Sequence, residues 1–273
     1  MRAHPSALIE PGAVIGAGAV VGPFCHVGPR ASIGDGCELV SHVVVMGDTR
    51  IGANTRIFPF AVIGAPPQDL KSRGDEGRVV VGADCTIREG VTLNAGTRAG
   101  GLETRIGDGC ALLANAHVAH DCQIGAQVVL ANGVLLGGHV RLGDHATVGG
   151  GSAVHQHVRI GAHAFVAGLA GVEGDVLPFA LAGGDRAHIF GLNVVGLRRR
   201  GFDAERIARL KEAYRRIFPE SPQPCAARLA AVEGLADGDA DVAALLEFLR
   251  EPSTRPLCAP RARRSTAQDE AAS

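Results

Sequence analysis

The chain has 273 residues, a formal charge of −1 at pH 7, and 46% hydrophobic residues, yet only 4% aromatics and no Trp. That charge supplies no bulk attraction to nucleic acid or to an acidic membrane, and no apolar run reaches the roughly 20 residues of a membrane helix. A core of Val, Ile, Leu and Ala with 38 glycines points to a narrow, repetitive interior. The opening segment MRAHPSALIEPG has no apolar targeting core and runs straight into a repeat, so no signal peptide is expected. Seven cysteines, an odd number with no CxxC pair, point to reduced thiols and a cytoplasmic protein.

Aliphatic residues recur every six positions from Ile9 to Ile63, return at Val81, Ile87 and Leu93, and run unbroken from Ile106 to Val172. A small residue stands two places before each, and Gly commonly follows. This period is wrong for an α-helix and too long for simple strand alternation. It fits a prism of short strands, an all-β solenoid over residues 1–190. Each hexad makes one flat side with its aliphatic residue toward the axis, and three hexads close a coil. Coils then stack about 4.8 Å apart through parallel strand hydrogen bonds.

Two stretches interrupt the beat, PPQDLKSRGDEGR at 66–78 and TRAGGLE at 97–103. Loops leaving a rigid scaffold are where binding groups tend to sit. The beat fades after Asp175, and a helical domain is expected over 191–252. There Ile207, Leu210, Tyr214 and Ile217 share one face of a helix over 204–218, with Asp203 as N-cap. Further helices are expected near 225–236 and 239–250, capping the unpaired strands at the end of the solenoid. The composition of 253–273 reads as a disordered tail.

Histidines carry the chemistry. Advancing His120 by one coil of three hexads reaches Gly138, beside His139, and the next coil brings His139 to His157. These side chains therefore share one edge, and an aliphatic prism offers imidazole no partner inside, so they face outward. A roleless surface histidine is the favoured reading for His145, His157 and His163. No HExxH or Cys/His ligand spacing occurs, so no metal is expected. General base and substrate hydrogen bonding both stay open for the others. Cys25, Cys37, Cys85, Cys110 and Cys122 fill small-residue slots of their hexads and are read as core.

The repeat is similar to that of the hexapeptide-repeat acyltransferases, whose coil is a left-handed parallel β-helix. More specifically, NAHVAHDC (Asn115–Cys122) resembles the active-site segment of the bacterial UDP-N-acetylglucosamine O-acyltransferases, which start lipid A synthesis. VGPFCHVGP (Val21–Pro29), SHVVVMGDTRIG (Ser41–Gly52), QDLK (Gln68–Lys71), AVHQ (Ala153–Gln156) and GLNVVGLRRRGF (Gly191–Phe202) follow in order. The resemblance spans about residues 5–250. It implies transfer of an acyl group, usually 3-hydroxylated, from acyl carrier protein to the 3-position of the UDP-sugar. No cofactor is implied beyond the phosphopantetheine thioester that the donor carries. A homotrimer with active sites between the prisms is also implied.

Carried over residue by residue, the resemblance makes His120 the general base and Asp121 its orienting carboxylate. Gly138 becomes the backbone donor to the thioester oxyanion. Asp69, Lys71, His117, His139, His155 and Gln156 match groups around sugar, phosphate and acyl chain. Asn193, Arg199 and Arg200 match the segment that grips uridine and diphosphate, and Gly168 matches a glycine that leaves the acyl groove open. The chain departs from the family at Asn94-Ala95-Gly96-Thr97, where His-Arg-Gly-Thr is common, at Val195 in place of an acidic residue, and at Arg186 in place of a histidine. The catalytic segment is kept while part of the donor-binding wall has changed. Three other readings remain: the same chemistry on another UDP-sugar such as a 3-amino sugar, a non-catalytic paralogue, or a zinc-dependent hydratase with three histidines at matched coil positions.

Overall fold

The computed structural model of the chain describes residues 1–219 and 224–260. Over the first part, nearly every hexad contributes a two-residue strand, and strands three apart in sequence order pair in parallel. Among the described residues this gives three faces of eleven, nine and eight strands. The first face begins at Arg2–Ala3, the second at Leu8–Ile9 and the third at Val14–Ile15. In each strand pair one residue points in and one out. Ile33, Ile63, Leu93, Leu112, Leu130 and Ile160 are all buried on the axis, where close packing makes each worth about 1.5–3 kcal/mol of burial.

The edges need left-handed backbone, and they obtain it from residues that tolerate it. Asp121, His139 and His157 stand at the edge between the second and third faces with φ of 61°, 61° and 65°. Both interruptions of the repeat leave at this same edge. The first joins Val62–Ala65 of the second face to Arg78–Val81 of the third, and the second joins Thr92–Asn94 to Glu103–Ile106. Two loops and a column of polar residues are thereby gathered on one corner of an otherwise regular rod.

The prism does not simply fade out. Ala180–Gly183 extends the first face, and His188–Leu192 folds back on it antiparallel, a hairpin the six-residue beat cannot signal. Among the described residues four helices follow: α1 (Val194–Arg199), α2 (Ala204–Ile217), α3 (Cys225–Ala236) and α4 (Ala240–Arg250). The Asp203 carboxylate accepts from the Arg206 N–H and caps α2. Ile207, Leu210, Tyr214 and Ile217 are buried on one of its faces. No helix among the described residues is long and apolar enough to cross a membrane.

The expectation of disorder beyond residue 252 fails for its first part. Asp175 N–H donates to Pro256 O, Cys258 N–H to Asp175 O, and Ile189 N–H to Ala259 O. Cys258 is buried. Beneath this segment lies a buried network in which Arg159 Nε and N–H each donate to Asp175 at 2.8 Å and Arg159 Nη1 reaches Glu251 at 3.1 Å. A buried arginine must be paired, and breaking such a pair costs about 3–5 kcal/mol. Composition hides this because the partners lie far away in sequence. Residues 261–273 lie outside the described residues.

Candidate active site

His120 is the last residue before the corner. Although it points outward from the prism, it is only 6% exposed: Gly138 of the next coil lies against its ring, and the 97–103 loop closes on its neighbour Asp121. Its Nδ1 lies 2.8 Å from Asp121 Oδ2. Asp121 is itself fixed: Oδ1 accepts from the Thr97 N–H at 2.8 Å, Oδ2 from the Thr97 hydroxyl at 2.6 Å, and its own N–H donates to Thr104 Oγ1. An ionised carboxylate only accepts, so Nδ1 must carry the proton and Nε2 the free lone pair. Nε2 takes no hydrogen bond among the described residues and is not a buried orphan. Thr97 and Thr104 were not anticipated. A threonine following the departure at Asn94-Ala95 was a signal, but its partner lies one coil away.

Gly138 sits one coil above His120. A methyl group there would come within 2.6 Å of His120 Nε2, so only glycine leaves the imidazole its place. The Gly138 N–H has no acceptor among the described residues. A lone pair able to take a proton and a free amide donor thus stand side by side.

The corner also gathers His139, His157, His117 and Asp69. His139 meets His120 edge-on at 5.0 Å and stacks on His157 at 4.4 Å. Its pKa is lowered by burial, an effect that the charges of Asp121 and Asp69 partly oppose. His117 accepts or donates at 2.7 Å with Thr92 Oγ1, and burial lowers its pKa too. Asp69 Oδ1 accepts from the Lys71 N–H within the exposed first loop. A cavity of about 490 Å³ opens beside the pair, lined by Gly100, Asp121, His139, His157 and Thr254 among others. His155 and Gln156 stand one coil further along, in contact with Arg255 of the C-terminal segment.

His120, Asp121 and His139 could also meet a metal ion, since one ligand atom from each lies within 4.8 Å of the others. The donor set fits poorly. Both Asp121 oxygens already accept from Thr97 and His120, so an ion taking a carboxylate oxygen would compete with the hydrogen bonds that hold the pair together.

The remaining site residues lie elsewhere on this chain. Gly168 stands at the edge between the first and second faces, beyond Phe165–Val166. Asn193 caps α1 and donates to His163 O, while Arg200 donates to His145 O. His145 and His163 mark the edge between the third and first faces, so the tail arginines are not at the His120 corner of their own chain. Arg199 lines a separate hollow over the first face with Leu192, Asn193 and Val195. Of the departures, Asn94 turns inward and donates to Pro66 O, with its own Oδ1 buried and unpartnered among the described residues. Arg186 pairs with Glu173 at 2.7 Å, and Val195 is exposed.

His163 is wedged between His145 and Phe179, and burial with the cations beside it pushes its pKa down to about 4. The unfolded chain takes that proton near pH 6.5. Stability from this group is therefore complete above about pH 6.5 and falls as pH drops toward about 4. Allowing for the solvent that still reaches the ring, the loss is about 1–2 kcal/mol. Thermal melts from pH 7 to pH 4.5 are expected to show it, and His163→Phe should flatten the decline.

The six described cysteines are free and buried. Burial pushes Cys122 up to about 12 and Cys258 to about 11, so neither offers a nucleophilic thiolate.

A buried imidazole–carboxylate pair on the corner of a parallel hexapeptide prism, with a free amide beside it, defines a hexapeptide-repeat transferase. Residues 103–138 match the bacterial transferase hexapeptide pattern and residues 3–98 that of the GMPPB C-terminal domain. Residues 175–258 match the second domain of UDP-N-acetylglucosamine O-acyltransferase. Acyl-[acyl-carrier-protein]–UDP-N-acetylglucosamine O-acyltransferases of Sinorhizobium fredii and Rhizobium johnstonii are 45% and 48% identical, each over 95% of this chain and 96% and 95% of their own. The LpxA structure from Acinetobacter baumannii superposes with a TM-score of 0.89 at 37% identity, covering 95% of this chain and 99% of that one. For the UDP-N-acetylglucosamine acyltransferase of Campylobacter jejuni the values are 0.88, 37%, 95% and 100%. The chain belongs to the UDP-N-acetylglucosamine O-acyltransferase family.

Proposed function

We propose that the chain moves an acyl group from the phosphopantetheine thioester of acyl carrier protein to the 3-hydroxyl of UDP-N-acetylglucosamine, the opening step of lipid A synthesis. The observation that carries this is His120, held by Asp121 as the Nδ1–H tautomer with Nε2 free beside the Gly138 amide. Nε2 takes the proton of the sugar hydroxyl as its oxygen attacks the thioester carbonyl. The Gly138 N–H donates to the oxyanion so formed. As the C–S bond breaks, the imidazolium returns the proton to the departing thiolate, and His120 is regenerated. No other cofactor is needed in this scheme.

The surrounding residues supply binding. Asp69, Lys71, His117, His139, His155 and Gln156 line the corner for sugar, phosphate and acyl chain. Leu135 and Ala153 follow His117 in register on the outer side of the second face and offer the acyl chain a path toward Gly168. Asn193, Arg199 and Arg200 take the uridine and diphosphate from a neighbouring prism, since on their own chain they sit at a different edge. That arrangement calls for a homotrimer of left-handed prisms with shared clefts. Six free cysteines among the described residues agree with a cytoplasmic setting.

One observation favours a second acceptor. With Asn94 and Ala95 replacing a basic pair, the sugar pocket carries less positive charge and repels a 3-amino group less. Mass spectrometry of products from a panel of acyl carrier protein thioesters, offered UDP-N-acetylglucosamine and its 3-amino analogue side by side, separates the two. The ester is expected to dominate, amide formation alone would move the reading to the second acceptor, and no product from either would end both.

A further inference from the structure

We propose that Arg255, in the C-terminal segment, is a positioning residue that fixes the tautomer of His155 and so turns its Nε2–H toward the substrate. The guanidinium carries only donors. Its Nη2 meets His155 Nδ1, and its Nε donates to Gln156 O at 2.8 Å. The Gln156 carbonyl also lies 3.4 Å from Nδ1, a contact beyond ordinary N–H···O length and already answered by the Arg255 Nε–H. The nearer guanidinium makes Nδ1 the acceptor and leaves the proton on Nε2. Which ring nitrogen of a histidine is protonated is set by the partner of the other one, and here that partner comes from a hundred residues further along the chain.

The contact is built rather than incidental. Pro256 and Cys258 follow Arg255 closely along the chain and are tied to Asp175 by backbone hydrogen bonds. Asp175 is locked by the buried Arg159, which also grips Glu251 and lies over the Phe248 ring. The Cys258 thiol donates to Ala187 O. This segment also forms the far wall of the cavity beside Asp121 and His139, through Glu251, Pro252, Ser253 and Thr254. Arg255 thus reaches His155 and Gln156 from a fixed base.

A neutral histidine presenting Nε2–H suits an acceptor on the substrate, either a phosphate oxygen or an acyl carbonyl. The kinetic part of this proposal rests on the acyl-transfer reading above, whereas the tautomer does not. The full-length protein with 15N-labelled histidines tests the tautomer directly. The His155 signals, assigned by their loss in His155→Ala, are expected to show an unprotonated Nδ1 and a protonated Nε2. In Arg255→Ala that preference should be lost, and Arg255→Lys should restore part of it. Arg255→Ala should also lower kcat/KM about ten-fold, as loss of an orienting partner does elsewhere, and cost nothing further in a His155→Ala background. An unchanged His155 signature in Arg255→Ala overturns the proposal, as does an equal loss of rate with and without His155. A wild-type chain with no transfer activity would count against the functional reading alone, because the nitrogen signature would still decide the role of Arg255.

Discussion

His120→Ala should lose about 10²–10⁴-fold in kcat, the usual contribution of a positioned general base, while the protein folds and melts nearly as before. The two halves of this expectation have separate causes. His120 points away from the prism axis, so its removal leaves the aliphatic column of Leu112, Leu130 and Val148 intact. What disappears is, among the described residues, the only imidazole whose Nδ1 is bonded to a buried carboxylate and whose Nε2 lies beside a free amide. His139 reaches the same carboxylate only at 3.8 Å, through its Nε2, too far for the hydrogen bond that orients His120. Steady-state rates with acyl carrier protein thioester, paired with thermal melts, check both halves. Unchanged turnover would remove His120 from the base role.

Asp121→Asn should be nearly as damaging to rate and, unlike the first substitution, should also destabilise. The carboxylate receives three donors, from the Thr97 N–H, the Thr97 hydroxyl and His120 Nδ1. An amide offers one oxygen and two hydrogens in its place. If its oxygen stays with the Thr97 N–H, its NH₂ faces Nδ1 and forces the proton onto Nε2, where the imidazole can no longer accept. If it turns over, a buried N–H loses its acceptor, at a cost of about 1–3 kcal/mol. A fall in kcat of about 10²–10³-fold is expected, with a lower Tm. Increased protease cutting within 97–103 should accompany it, because Thr97 is the loop's anchor. Asp121→Glu should not rescue, since the residue sits at a left-handed corner with its side chain almost fully enclosed.

Most of the scaffold was legible because a prism repeats one local rule. An aliphatic residue every six positions fixes strand, face and stacking together, and the column His120, Gly138, Gln156 follows by counting coils. Both loops could be seen as breaks in that count, and their meeting at one edge follows from where in the coil each break falls. The catalytic pair was legible as a motif, but its support was not. Thr97, Thr104 and Arg255 act on Asp121 and His155 from a distance of one coil or of the whole tail, and no local pattern encodes such partners. The same reason explains the tail itself. A Pro- and Arg-rich stretch reads as unstructured until Asp175, Arg159 and the end of the last coil are in place to receive it. The antiparallel return at His188–Leu192 is likewise set by the need to cover an edge rather than by any period.

The His120 corner of one chain is expected to work with the tail arginines of another, because on a single chain Arg200 is bound to His145 at a different edge. Co-expressing His120→Ala chains with Arg199→Ala/Arg200→Ala chains, each expected to be inactive alone, tests this in mixed oligomers. Recovery of about a quarter of the wild-type rate is expected from random assembly of a cyclic oligomer. A mixture no more active than its parents would contradict a shared site.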